Sequence, residues 1–182
     1  MILQGNGFIL REWTENDKDE LIAIANEEDV YINLRDAFPH PYTENDAVNW
    51  IDFARNEKNK GLFFAIEVDK KLAGSIGITL KTDIYRKNAE IGYFLSKKFR
   101  GKGIMTNAVK IIVKYIFDNK DIIRIYAEPM AKNIASRKVL ENAGFSCEAI
   151  LKNYIIKQDT ILDSCIYSLL KENWNNKENE NE

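Results

Sequence analysis

Cysteine is scarce in this chain, which has only Cys147 and Cys165 among its 182 residues. Both would lie in the last two predicted strands, too offset to face each other, so we expect reduced thiols and a cytoplasmic protein. Histidine is scarcer still, and the single residue, His40, has no obvious nucleophile to pair with. We therefore expect His40 to be structural or to line a substrate groove, and we expect no metal site.

Long apolar runs are absent as well. No run approaches the roughly 20 residues that a membrane-spanning helix needs, because Lys110 and Lys114 interrupt the longest candidate. The N-terminus lacks the basic and apolar regions of a signal peptide, so none is expected. A formal net charge of −2 gives no basic surface for nucleic acid. These absences predict a protein with neither a membrane nor a nucleic-acid partner.

The chain does contain enough apolar sequence for a folded core. Hydrophobic residues make up 45% of it, which at this length predicts one domain, placed at residues 1–174. Residues 175–182 are Asn, Glu and Lys only, so they are expected to form a disordered polar tail.

Hydrophobic periodicity predicts the element order β-α-α-β-β-β-α-β-α-β-β. The predicted strands cover residues 8–12, 62–68, 71–81, 89–95, 122–128, 145–156 and 160–170, and the predicted helices cover 14–26, 43–56, 104–117 and 133–143. Residues 30–42 are expected to be an irregular connection. This order predicts an α/β protein with a mixed sheet and helices on both faces.

The most informative segment leads from a strand through a basic turn into a helix. Residues 96–105, here called the cradle, carry two glycines, Gly101 and Gly103, before a helix that begins at Ile104. The free N–H groups and the positive dipole end of a helix N-terminus attract an anion. Glycine lets the backbone approach a phosphate closely because no Cβ intervenes. The cradle therefore predicts binding of a phosphorylated small molecule.

Two common phosphate-binding motifs do not fit the cradle. A Walker-type loop would need a glycine at Ser96 and a hydroxyl at Gly103. A dinucleotide-binding fingerprint would need a small residue where Thr106 stands. A nucleotide phosphotransferase is disfavoured for the same reason, since no Mg²⁺-ligating Ser or Thr follows Lys102.

A third pattern fits better. Lys98–Gly103, preceded by Glu90–Leu95, resembles the acetyl-CoA pyrophosphate loop of the GNAT N-acetyltransferase superfamily, usually written Q/R-x-x-G-x-G/A. Lys98 stands where Gln or Arg is usual. The resemblance implies that a backbone N–H at Phe94 or Leu95 stabilises the oxyanion of the reaction. It also implies that acetyl-CoA is held by Arg100, Gly101, Lys102, Gly103, Ile104 and Met105.

A second segment, 133–145, resembles the other CoA-contacting segment of that superfamily. Asn133 is a good helix N-cap, and Gly144 suits a left-handed position after the helix. An ordinary capped helix would explain these two residues as well. The resemblance implies that Asn133 and Ser136 contact the cofactor.

Residues 38–47, together with Asp163 and residues 167–170, resemble one branch of the superfamily, the ribosomal-protein N-terminal (alanine or serine) acetyltransferases. The resemblance covers roughly residues 7–174. It implies a GNAT-like, mostly antiparallel central sheet, and it makes a homodimer a candidate assembly because relatives are often dimers.

The chemistry that the resemblance implies is direct attack of a primary amine on the acetyl-CoA thioester. Many relatives have a Tyr that serves as the general acid where this chain has Leu140. Ser136 is therefore predicted to contact the cofactor or to protonate the departing sulfur. Glu90 is the first candidate for the general base, with Glu128 and Glu148 behind it. An ion pair of Glu90 with an arginine, such as Arg86 or Arg124, would explain the residue equally well.

The acceptor is predicted to be a peptide N-terminal α-amine or a small primary amine. Tyr31 and Arg35 are candidate substrate contacts, although both could equally lie at the rim. One alternative is a polyamine or antibiotic N-acetyltransferase, for which 27–29 is the only acidic cluster; a solvated helix end would explain that cluster as well. The other is a non-catalytic acyl-CoA-binding regulatory protein, suggested by the Tyr missing at Leu140.

Overall fold

The computed structural model describes residues 1–179, with side chains through residue 175. Its strands are β1 (Ile2–Gly5), β2 (Phe8–Arg11), β3 (Gly61–Val68), β4 (Lys71–Leu80), β5 (Asn88–Leu95), β6 (Arg124–Ala127), β7 (Ser146–Lys157) and β8 (Thr160–Leu170). Its helices are α1 (Lys18–Ala25), α2 (Glu28–Tyr31), α3 (Glu44–Asn56), α4 (Ile104–Asn119), α5 (Ile134–Asn142) and α6 (Lys171–Asn179).

The eight strands form one sheet in the order β1-β2-β3-β4-β5-β6-β8-β7. Strands β5 and β6 are parallel, whereas β1 with β2, β2 with β3, β6 with β8 and β7 with β8 are antiparallel. The predicted mixed, mostly antiparallel α/β fold is therefore confirmed.

The chain forms two compact units. The first comprises Met1–Ile78 and Gly92–Ala108, and the second comprises Thr79–Ile91 and the chain from Val109 onward. The core of the first unit includes Trp13, Leu21 and Ile51. The core of the second includes Ile116 and Tyr167, both fully buried. The single domain expected at residues 1–174 stays a prediction.

Local sequence signals account for several element boundaries. Helix α3 begins after a complete capping box, in which the Thr43 hydroxyl accepts from the Asp46 N–H and the Asp46 carboxylate accepts from the Thr43 N–H at 2.8 Å. Asp69 and Lys70, with φ of 49° and 63°, make the two-residue turn between β3 and β4.

Other elements differ from the prediction. Strand β1 and the short helix α2 were not expected, and residues 15–17 form a 3-10 turn before α1. Helix α6 takes in residues 175–179 of the segment predicted as a polar tail, and residues 180–182 lie outside the described part of the chain. Cys147 pairs in register with Tyr167 and Cys165 pairs with Ile150, so the two free thiols do not stand opposite each other.

A search of residues 1–179 finds no helix that is both long and apolar enough to cross a membrane.

Candidate active site

The cradle lies in the first unit, at the end of β5. Lys97–Phe99 form a single 3-10 turn, after which Gly101 and Gly103 both adopt left-handed backbone, with φ of 75° and 74°. Residues other than glycine rarely adopt this conformation. The two glycines turn the chain so that helix α4 begins at Ile104.

The space above both glycines is open. A Cβ added at Gly101 would meet no heavy atom within 4 Å, and at Gly103 the nearest atom would be Asn107 Nδ2 at 3.9 Å. Glycine is therefore required here by backbone conformation and not by crowding inside the protein. A ligand can therefore approach the main chain at Gly101 and Gly103 without meeting a side chain in the space above them.

The N-terminus of α4 supplies the donors. Its first helical hydrogen bond runs from the Asn107 N–H to the Gly103 carbonyl at 3.0 Å. The N–H groups of residues 104–106 precede that bond and have no acceptor within a helix. The side chains of Ile104 and Met105 are buried, which anchors the helix start and leaves their backbone amides for a ligand. Together with the helix dipole, this arrangement favours an anion.

The basic residues of the cradle are exposed and point to the same chemistry. The Arg100 Nε–H donates to the Leu95 carbonyl at 3.0 Å, which holds the guanidinium beside the strand end. Arg100 Nη1 lies 3.3 Å from Asp29 Oδ2, and the Lys97 ammonium lies 3.7 Å from the same oxygen. Exposed pairs of this length contribute little to stability and exchange partners readily. An arriving phosphate can therefore recruit Arg100 and Lys97.

A contact that the sequence did not reveal holds the start of the cradle. The Ser96 hydroxyl donates to Glu27 Oε1 at 2.5 Å, and the Lys97 N–H donates to Glu27 Oε2 at 2.8 Å. Glu27 precedes helix α2, 69 residues before Ser96. No local pattern in the sequence could have joined two residues so far apart.

The end of β5 carries the predicted oxyanion donors, Phe94 and Leu95. The pairing of β5 with β6 covers Asn88–Glu90, so the strand continues beyond this register to Leu95. The Phe94 side chain packs against the core of the first unit, with its ring edge-on to Phe38 at 5.6 Å. Any role for Phe94 and Leu95 in the reaction would therefore use their backbone, and that role stays a prediction.

The candidate substrate contacts lie in the connection before α3. Tyr31 ends helix α2, and its ring stacks on the His40 ring with centroids 3.5 Å apart. Arg35 is exposed, and its carbonyl accepts from the Phe38 N–H at 2.9 Å. His40 is thus held in a ring stack, and the substrate roles of Tyr31 and Arg35 stay predictions.

In the second unit, Asn133 caps α5 as predicted. Its side chain accepts from the Ser136 N–H at 3.1 Å, and Gly144 adopts a left-handed φ of 97° after the helix. Leu140 is fully buried in the core, and its hydrocarbon side chain has no proton to donate. The cofactor contacts assigned to Asn133 and Ser136 rest on the resemblance.

Glu90 has a different partner from the arginines that we considered. Its Oε2 lies 2.6 Å from the Lys81 ammonium and 3.3 Å from the Tyr126 hydroxyl, which donates to it. Burial lowers the pKa of Lys81, but hydrogen bonds to Glu90 and Tyr126 outweigh it, and the net pKa is raised. Glu90 is therefore a carboxylate held between a cation and a phenol, and its catalytic role stays a prediction.

A cleft of about 350 Å³ lies beside this cluster in the second unit. It is lined by Lys81, Tyr85, Asn88, Arg124, Tyr126 and Ile166. Its lining thus combines two tyrosine rings with two cationic side chains, and none of these six lining residues is acidic.

Glu148, another candidate base, is held by an arginine and a serine, and its catalytic role stays a prediction. Both its carboxylate oxygens accept from Arg124, and the Ser168 hydroxyl donates to Oε1. The hydrogen bonds from Arg124 and then Ser168 lower the pKa of Glu148 to about 2. Glu128, the other candidate, accepts a 3.4 Å hydrogen bond from Ser164.

We expect Glu148→Gln to lower the free energy of unfolding at pH 7 by about 1 kcal/mol, a value discounted because the carboxylate is partly exposed. A depressed pKa stabilises the fold above the unfolded-state value of about 4.3, and that contribution is lost as pH falls toward 2. The difference between wild type and variant should therefore shrink between pH 5 and pH 3. Urea unfolding at several pH values measures it, with the exposed Glu172→Gln as the matched control. A difference that stays constant across this range would contradict the assignment.

The site is an open, glycine-bearing anion cradle between a strand and a helix N-terminus, in an α/β protein with a mixed sheet. The sequence profile of the acetyltransferase (GNAT) domain matches residues 8–146, and the chain belongs to this family.

Relatives agree with this assignment. The probable N-acetyltransferase YjcK of Bacillus subtilis is 39% identical over 103 residues, 56% of this chain and 57% of that protein. The [ribosomal protein uS5]-alanine N-acetyltransferase of Escherichia coli is 30% identical over 84 residues, 46% of this chain and 43% of that protein. The matches thus span about half the length of these relatives. Both are named N-acetyltransferases, the enzyme class predicted from the sequence.

A solved structure extends the likeness to nearly the whole chain. The microcin C7 self-immunity acetyltransferase MccE, determined in complex with acetyl-CoA and AMP, superposes with a TM-score of 0.79 at 26% identity. The superposition covers 91% of this chain and 93% of that one.

Proposed function

We propose that the chain is an acetyl-CoA-dependent N-acetyltransferase whose cradle binds the diphosphate of the cofactor. The observation that carries the proposal is the pair of left-handed glycines, Gly101 and Gly103, that open onto free space directly before the N-terminus of α4. The acetyl-CoA complex of MccE supports the choice of donor. Arg100 and Lys102 add charge, and the amides of Ile104 and Met105 add hydrogen bonds.

The reaction is direct acyl transfer. The neutral amine attacks the thioester carbonyl carbon, a C–N bond forms, the C–S bond breaks, and the sulfur leaves as a thiolate that takes up a proton. A backbone N–H at Phe94 or Leu95 would stabilise the oxyanion, and a preorganised donor of this kind is worth on the order of 3 kcal/mol. Because a thiol has a pKa of about 8.5, the thiolate leaves without a strong acid.

Proton transfer is assigned to Glu90 and Ser136. Glu90 would accept a proton from the amine, directly or through the Tyr126 hydroxyl that donates to it. Ser136 would contact the cofactor or supply the proton to sulfur. The Lys81 ammonium lies 2.6 Å from Glu90 Oε2 and would stabilise the carboxylate form of Glu90.

For the acceptor, we propose a peptide N-terminal α-amine or a small primary amine. An α-amine has a pKa of about 8 and is partly neutral at pH 7, whereas a lysine at about 10.4 is mostly charged. The relative that acts on the alanine of a ribosomal protein supports an N-terminal acceptor. Tyr31 and Arg35 are proposed to contact it.

A polyamine acceptor is less well supported. Such a substrate requires a free acidic groove, but Glu27 is hydrogen-bonded to Ser96 and Lys97, and Asp29 pairs with Arg100. The cytoplasmic location and the homodimer stay predictions.

Release of free thiol from acetyl-CoA tests the proposal. The acceptor panel contains peptides beginning with alanine or serine, an N-terminally blocked lysine peptide, spermidine and an aminoglycoside. We expect the free α-amine peptides to react fastest, with a rate that rises toward pH 8.

Two results would contradict the proposal. Binding of CoA by calorimetry without thiol release from any amine would favour the non-catalytic acyl-CoA-binding protein. Protection against thermal unfolding by ATP, with none by CoA, would favour a nucleotide phosphotransferase.

A further inference from the structure

We propose that Glu27 is the residue that positions the cradle for the cofactor diphosphate, a role that rests on the proposed function of the cradle. Glu27 would not touch the cofactor itself. It would act through Ser96 and Lys97, the first two residues of the cradle.

The contacts of Glu27 are made by both carboxylate oxygens. One accepts from the Ser96 hydroxyl at 2.5 Å and the other from the Lys97 N–H at 2.8 Å. Ser96 is only 2% exposed, so its hydroxyl depends on a protein partner. Hydrogen bonds to an ionised acceptor are stronger than neutral ones. The carboxylate therefore fixes both the side chain of Ser96 and the main chain that follows it.

Ser96 is also the point at which the chain leaves the sheet. Its N–H donates to the Ala73 carbonyl of β4 at 2.8 Å, and its carbonyl accepts from the Phe99 N–H at 3.0 Å. Glu27 thus holds Ser96, which makes both the hydrogen bond to β4 and the first hydrogen bond of the turn that begins the cradle. The direction in which the chain enters Gly101 and Gly103 follows from that residue.

Simple electrostatics predicts the opposite effect for an acidic residue near an anion site. Removing a negative charge should strengthen binding of a polyanionic cofactor. Asp29 is the residue for which this should hold, because it is exposed and pairs loosely with Arg100 and Lys97. Glu28, between the two, is exposed and begins helix α2. Three neighbouring acids are thus expected to give three different results.

The test compares Glu27→Gln with Glu28→Gln and Asp29→Asn in the full chain, with the dissociation constant of CoA measured by calorimetry. We expect Glu27→Gln to weaken binding about tenfold, the loss typical of one charge-assisted hydrogen bond. Glu28→Gln should stay within about twofold of wild type, and Asp29→Asn should bind a few-fold more tightly. Glu27→Asp keeps the charge but is one methylene shorter, so it should also weaken CoA binding. This variant shows whether the length of the side chain matters in addition to its charge.

Kinetics separate positioning from a general loss of structure. S-acetylpantetheine carries the thioester but lacks the diphosphate. Glu27→Gln should raise KM for acetyl-CoA about tenfold with kcat nearly unchanged, and it should leave kcat/KM for S-acetylpantetheine unchanged.

Several results would overturn the proposal. One is CoA affinity in Glu27→Gln equal to that of Glu28→Gln. Another is tighter CoA binding in Glu27→Gln, as expected for Asp29→Asn. A third is an equal loss of kcat/KM with both thioesters. If Glu27→Gln does not fold, full CoA affinity in Glu27→Asp would overturn it as well. A wild-type chain that binds no CoA would remove the proposed function and this role together, whereas an active wild type with an unaffected Glu27→Gln would remove this role alone.

Discussion

Gly74→Ala should destabilise the folded chain by about 3 kcal/mol or more, because added volume would meet rigid backbone. A Cβ at this position would lie 2.2 Å from the Phe94 carbonyl oxygen and 3.0 Å from the Leu95 Cα. Neither atom can retreat without separating β4 from β5. A change of this size is a large fraction of the roughly 5–15 kcal/mol that stabilises a typical domain. Urea unfolding followed by circular dichroism measures the loss.

The matched control for Gly74 is Gly92→Ala. Gly92 lies in β5, in the same unit, and a Cβ there would meet no heavy atom within 4 Å. We expect Gly92→Ala to change the free energy of unfolding by no more than about 0.5 kcal/mol. Equal stability of the two variants would mean that the close approach of β4 to Phe94 is not a constraint on the fold.

Features set by neighbouring residues were predicted well from the sequence. Asn133 caps its helix and Gly144 is left-handed after it, as their residue types indicated, and the helix predicted from residue 43 begins at Glu44. Each of these signals acts over a few residues, so one sequence is enough to read it. The same holds for the two-residue break between the strands predicted at 62–68 and 71–81, which is the turn at Asp69 and Lys70.

Short elements were missed because their patterns are too brief. Strand β1 has four residues, of which none is buried, and its pairing with β2 stabilises it. Helix α2 also has four residues, and it follows Glu27, which is not a typical N-cap residue. Tertiary contacts decide such elements, and periodicity cannot show them.

The ion pairs around the candidate site were the least predictable feature. Glu90 pairs with Lys81, nine residues away, and Arg124 pairs with Glu148. Several cations lay at plausible sequence distances from Glu90, and only the register of the strands decides among them. The same reason explains why the bond from Ser96 to Glu27, 69 residues apart, could not be predicted.

Gly101→Ala and Gly103→Ala should each weaken CoA binding about tenfold, and the double variant about a hundredfold. Both positions need a left-handed backbone, with φ of 75° and 74°, which costs an alanine roughly 1–2 kcal/mol. The cradle can relieve that strain only by changing its backbone, and the amides of residues 104–106 would then no longer converge on one anion. The added Cβ also occupies the open space through which a phosphate must approach. Calorimetry with CoA measures the loss.

Gly7→Ala is the control that separates this effect from strain alone. Gly7 has φ of 77°, and a Cβ there would meet no heavy atom within 4 Å, as at Gly101. The two substitutions should therefore lower the free energy of unfolding by similar amounts, yet only Gly101→Ala should weaken CoA binding. If Gly7→Ala weakens binding equally, the loss reflects stability and not the cradle. If Gly101→Ala binds CoA as wild type does, the diphosphate does not lie on the glycine backbone, and the proposed position of the cofactor is wrong.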